Sequence, residues 1–129
     1  MLIKKVDLCE EFIAGDGSLL REVLHPKNDK IALPFSLAYA RVRPKEATIP
    51  HRLKTSFEVY FILQGKGVMH VNEESENVAK GDAVVIPPNS IQWIENSGEE
   101  ELVFICVVSP PWSENDEEIL KNRNQGVTN

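Results

Sequence analysis

Residues 45–65 read KEATIPHRLKTSFEVYFILQG, and residues 81–96 read GDAVVIPPNSIQWIEN. In each stretch a run rich in β-branched and aromatic residues ends at glycine or proline: 58–63 before Gly65, and 83–86 before Pro87-Pro88. Such runs suit a pleated, half-buried surface. Gly65 and Gly81 supply the positive φ that a tight reversal needs, and Asp82 beside Gly81 is a common turn residue. Pro87 fixes φ and cannot donate to a ladder, so Pro87-Pro88 closes one strand and aims the next.

Outward from these two stretches the same punctuation recurs at Pro34, Pro44, Pro50, Gly67, Gly98 and Pro110, at intervals too short for helices. The spacing predicts strands over 35–42, 58–63, 68–72, 83–86, 91–95 and 101–108, with an earlier one near 19–24. Regularly spaced short strands with turn signals describe an all-β sandwich or barrel. One helix is expected, a short C-terminal brace with Ser113 as N-cap, the acids Glu114, Asp116 and Glu117 in its first turn and Lys121 near its end. The tail over 124–129 is expected to fray.

The composition sets bounds. At 129 residues and 14.5 kDa, with 42% hydrophobic residues, the chain supports one core, and a single domain spanning 1–129 is expected. Its apolar runs are far shorter than the roughly 20 residues of a membrane span. The start, MLIKKVD, puts charges where a signal peptide is apolar, so a cytoplasmic address is expected. Cys9 and Cys106 lie too far apart to read as a metal pair or redox motif, and both are expected as free thiols.

A net charge of −6 hides an asymmetry, because residues 1–60 hold 10 Lys/Arg against 8 Asp/Glu and residues 61–129 hold 4 against 12. An acidic chain of pI about 5.1 lacks the basic footprint that nucleic acid requires. One basic group stands out: Arg41, Arg43, Lys45, Arg52 and Lys54. It reads as a solvated face or, more sharply, as an attraction for an anionic small ligand through Arg41 or Arg43.

Taken together, 45–65 and 81–96 resemble the cupin motifs, written G-x5-H-x-H-x(3,4)-E-x6-G and G-x5-P-x-G-x2-H-x3-N. Lys45, His51, Leu53, Glu58 and Gly65 occupy the first; Gly81, Pro87, Asn89, Gln92 and Asn96 occupy the second. Six of the ten are the family's residue, and the two motifs stand in the right order, so the resemblance implies the cupin double-stranded β-helix, a jelly-roll barrel. It also implies a ligand end, where His51, Glu58 and Gln92 fall on ligand positions.

Period two then sorts the faces: with Glu58 inward, Tyr60 and Ile62 follow, as do Met69 with Val71, Gln92 with Ile94, and Phe104 with Cys106. The interior becomes apolar with one polar cluster, His51, Glu58, Tyr60 and Gln92, as in a small-molecule pocket. His70, alternating with Met69 and Val71, is expected on the outer face, and His25, before Pro26, in a surface turn. Trp93 should face away from Gln92. Large aromatics so placed suit a packing patch or subunit contact, and small cupins commonly pair, so a homodimer is expected.

The family's usual metal centre is three histidines and a glutamate. Here Leu53 and Gln92 replace two of the histidines. The remaining set, His51, Glu58 and Gln92, leaves two readings open. One is a divalent ion (Fe, Mn, Ni, Co or Zn) completed by water, which would make the chain a metal-dependent oxygenase, isomerase or lyase on a small oxygenated substrate. The other has no metal and a hydrogen-bonded cluster, giving a small-molecule-binding barrel. The second still permits acid–base chemistry with His51, Glu58 and Tyr60 as catalytic candidates. Cys106, inward among apolar neighbours, is expected to be inert.

Overall fold

A computed structural model describes residues 1–120. Its strands are β1 (Glu11–Ile13), β2 (Leu19–Leu24), β3 (Ser36–Val42), β4 (His51–Leu53), β5 (Phe57–Gln64), β6 (Lys66–Val71), β7 (Glu74–Ala79), β8 (Ala83–Ile86), β9 (Gln92–Asn96), β10 (Leu102–Ser109) and β11 (Glu117–Ile119). They form two antiparallel sheets, ordered β1-β2-β3-β10-β5-β8 and β11-β4-β9-β6-β7. The strands expected from spacing are all present, within two residues at each end. The two sheets face each other as a jelly-roll barrel.

The chain passes from one sheet to the other where the two motifs place glycine. Gly65, at φ 86°, links β5 to β6, and a Cβ there would lie 2.7 Å from the Glu101 carbonyl oxygen. Gly81, at φ 94°, takes the chain from β7 back to β8. Two motif positions that lack the family's glycine keep the same left-handed backbone: Lys45 at φ 67° and Asn89 at φ 66°. The architecture demands αL at these corners whatever residue fills them.

Alternation builds the core. Tyr60 and Ile62 of β5, Met69 of β6, Ile94 of β9, and Phe104 and Cys106 of β10 form one buried cluster between the sheets with Ala40, Val42 and Leu102. Each large aliphatic side chain removed from water there contributes about 1.5–3 kcal/mol. Tyr60 and Phe104 pack ring on ring with centroids 4.5 Å apart. Cys106 is buried among them, which pushes its thiol well above the usual range and keeps it unreactive. Among the described residues no helix is long and apolar enough to cross a membrane.

The expected C-terminal helix is not there. One turn forms, in which Ser113 O accepts from the N–H groups of Asp116 and Glu117. The Asp116 carboxylate then accepts from the N–H of Thr55 and Ser56 and from the Thr55 hydroxyl, and the chain straightens into β11 against β4. Pairing with an open strand edge outweighed four local helix signals. Lys121 and the tail over 124–129 lie outside the described residues. The short helix of the fold is instead α1 (Pro26–Asp29), whose N-cap is His25.

Candidate functional site

β4 and β9 meet at one pair, His51 opposite Gln92, and β5 lies across the barrel from them. Period two turns Glu58 and Tyr60 of β5 inward, so four side chains of the first expectation converge. The Tyr60 hydroxyl donates to Gln92 Oε1 at 3.0 Å, and Gln92 Nε2 donates to Glu58 Oε1 at 2.9 Å. Gln92 is wholly buried and sits behind the cavity, with both ends of its amide committed. His51 Nδ1 donates to the Ile49 carbonyl 2.8 Å away, which leaves Nε2 turned toward the interior.

These groups open onto a cavity of about 150 Å³ with apolar walls, including Leu20, Ala38, Leu53 and Phe104. Two further residues complete it: Asp16, which no sequence motif marks, and Glu117, expected instead in the first turn of a C-terminal helix. Asp16, on the β1–β2 loop, is held by Ser18, whose N–H and hydroxyl donate to Asp16 Oδ1. Its Oδ2 lies 3.8 Å from His51 Nε2. Glu117 faces inward because β11 pairs with β4 in a register that places Glu117 opposite Leu53 and Ile119 opposite His51. No local pattern marks either residue, since both reach His51 through contacts distant in sequence.

Burial is the dominant field. It pushes Glu58 up to about 7, with the His51 charge and the Gln92 hydrogen bond partly opposing it and the Asp16 and Glu117 carboxylates adding to it. Burial likewise raises Glu117. It raises the Tyr60 phenol well above its ordinary value, and that hydroxyl already serves Gln92. Of the catalytic candidates, His51 and Glu58 therefore present atoms to the cavity, whereas Tyr60 presents its ring.

The structure does not bring Arg41 and Arg43 to the cavity. Arg41 alternates with inward Ala40 and Val42, so it points outward, where it pairs with Glu11 at 2.7 Å and with Glu101. That double pairing holds its guanidinium charged and lowers Glu11. Arg43 is exposed and lines no part of the cavity. Arg52 is paired outward with Glu118 at 2.6 Å. His25, expected at the surface, is buried: its Nε2 donates to the Trp112 carbonyl and its Nδ1 accepts from Lys27 N–H. His70 faces outward as expected, stacked on Trp93 at 4.2 Å between Ser75 and the Glu95 carboxylate.

The cupin-domain family model matches residues 38–108. The chain belongs to the cupin family. It is 42% identical over 115 residues to an uncharacterized protein of Methanocaldococcus jannaschii, covering 89% of this cupin and 91% of that protein. It is 29% identical over 114 residues to the oxalate-binding protein of Thermotoga maritima, covering 84% and 93%. Among solved structures, a Streptomyces nucleoside dehydratase with uridine superposes with a TM-score of 0.75 at 19% identity, over 94% of this chain and 92% of that one. At that identity the likeness is one of fold.

The donors present in this cupin do not fit a metal centre. Leu53 fills one family ligand position with a buried apolar side chain. Gln92 fills another with its carbonyl oxygen taken by Tyr60. Among the described residues no three of His, Cys, Asp and Glu converge to hold an ion.

Proposed function

We propose that this cupin binds a small organic molecule in the barrel cavity, with His51, Glu58 and Tyr60 facing it and Gln92 fixing the last two. One observation carries the reading: His51 is almost wholly buried, yet its Nε2 has no hydrogen-bond partner among the described residues and opens onto an apolar-walled cavity. That nitrogen is reached from the cavity and lies 3.8 Å from Asp16 Oδ2, beyond hydrogen-bond distance, so a molecule bound in the cavity supplies a partner that the protein does not. The oxalate-binding relative takes a dicarboxylate, but oxalate suits this cavity poorly, since Asp16, Glu58 and Glu117 line it and no lysine or arginine does among the described residues.

The test is a thermal-shift screen of a fragment library on the protein and on Ala38→Phe, whose ring fills the cavity from β3 and leaves the polar cluster in place. Fragments that raise the melting temperature of the protein should lose their effect on the variant. Stabilisation that persists in a folded Ala38→Phe overturns the reading. The barrel is also proposed to pair with a second copy through the outer face of the β5–β8 sheet, where Phe57, Phe61 and Val85 are 51%, 43% and 61% exposed. Sedimentation should then give a dimer that Phe61→Lys dissociates, and a monomer at micromolar concentration removes the proposal.

A further inference from the structure

The cavity has a one-sided chemistry. Four carboxylates line it, Asp16, Glu22, Glu58 and Glu117, and among the described residues no lysine or arginine does. The hydrogen-bond ledger sharpens this. Asp16 Oδ1 is taken by Ser18 and Glu58 Oε1 by Gln92, which leaves Asp16 Oδ2 and Glu58 Oε2. Because Nδ1 of His51 is the protonated nitrogen, neutral His51 offers only a lone pair at Nε2. The Tyr60 hydroxyl proton is spent on Gln92. Above about pH 7, where Glu58 has lost its proton, what faces the cavity therefore accepts hydrogen bonds rather than donating them.

The walls add a second feature. Phe12, Tyr60, Phe104 and Trp112 contribute aromatic rings around the acidic floor, and ring faces attract cations. A fixed, water-poor set of acceptors with negative charge repels anions strongly. A neutral alcohol would satisfy acceptors and leave the charge uncompensated.

We propose that the cavity takes a small organic cation, an ammonium or amidinium group on a short apolar body, with its N–H groups directed at Asp16, His51, Glu58 and Glu117. The body is about the size of benzene, which an apolar cavity of this volume admits. The proposal rests on the small-molecule reading above and replaces the anionic ligand expected from the basic residues, which the fold turns outward.

The experiment titrates the full chain at about pH 8, above the Glu58 value of about 7, followed by amide nuclear magnetic resonance, with three compounds of matched length: n-butylammonium, 1-butanol and butyrate. Butylammonium should shift the signals of Asp16, His51 and Glu117 and bind at least about tenfold more tightly than the other two, a modest return for a partly buried charge pair. Asp16→Asn with Glu117→Gln should bring its affinity down to that of 1-butanol and leave the alcohol's unchanged. The single variants, whose isosteric amides keep the Ser18 contact of Asp16 and the Trp112 contact of Glu117, carry the same comparison if the double variant does not fold. Equal or tighter binding of butanol or butyrate at the cavity overturns the cation class and leaves the small-molecule reading intact. No shift from any of the three at high millimolar concentration overturns both.

Discussion

Gln92 donates its amide N–H to Oε1 of Glu58 at 2.9 Å, with both side chains buried between the two sheets. The same amide accepts from Tyr60, so a residue standing where the family places a metal ligand has become the joint of a hydrogen-bonded chain. Gln92→Leu keeps the volume and removes the joint, leaving the Tyr60 hydroxyl and Glu58 Oε1 without partners. The loss should be about 2–4 kcal/mol, read as a lowered urea midpoint at unchanged slope.

Glu58 is held near neutrality by its surroundings: burial raises it from its ordinary 4.5 to about 7, Asp16 and Glu117 add to the rise, and His51 and Gln92 oppose it. Between these values the folded protein retains a proton that the unfolded chain has released. The resulting stabilisation is complete below about 4.5 and disappears as the pH rises through about 7. Relative to Glu58→Gln, which does not titrate, the protein should lose stability between about pH 5 and pH 8. Denaturant unfolding of both proteins across that window checks it, and a constant difference refutes it.

Since Leu53 and Gln92 disable two ligand positions, exhaustive dialysis against a chelator should leave the melting temperature unchanged. Reloading with Fe, Mn, Ni, Co or Zn should give well below one ion per chain by elemental analysis. Leu53→His combined with Gln92→His restores the family's ligand types around His51 and Glu58. That variant is expected to retain one ion.

Lys45 holds a left-handed conformation that glycine adopts freely, and its ammonium makes only exposed contacts among the described residues, a pair with Glu99 and a long hydrogen bond to the Ser97 carbonyl. Lys45→Gly should therefore stabilise the fold by up to about 1 kcal/mol. Asn89→Gly should gain less, because asparagine tolerates αL. Thermal denaturation of the two variants tests the order.

Much of this architecture was legible because it is local. Alternation of Glu58, Tyr60 and Ile62, and the glycines at 65 and 81, follow from period two and turn chemistry, and both survive in the structure. Strand β7, Glu-Ser-Glu-Asn-Val-Ala, carries no apolar alternation, because only Val78 is buried and the rest is exposed. The sequence leading into β11 signals a helix, because Ser113 and three acids mimic a helix start, while the competing partner, β4, lies about sixty residues earlier. The cavity suffered the same blindness. Its polar cluster follows from the barrel motifs, but Asp16 and Glu117 reach it from segments near the two chain ends, and strand alternation turns Arg41 away from it.

The most direct measurement is a set of crystal structures of the protein soaked with small fragments of neutral, cationic and anionic character. Electron density for a fragment is expected inside the barrel, its polar end within hydrogen-bond distance of His51 Nε2 and of the Asp16 or Glu117 carboxylate. A cavity that holds only water while fragments collect elsewhere on the surface would contradict it.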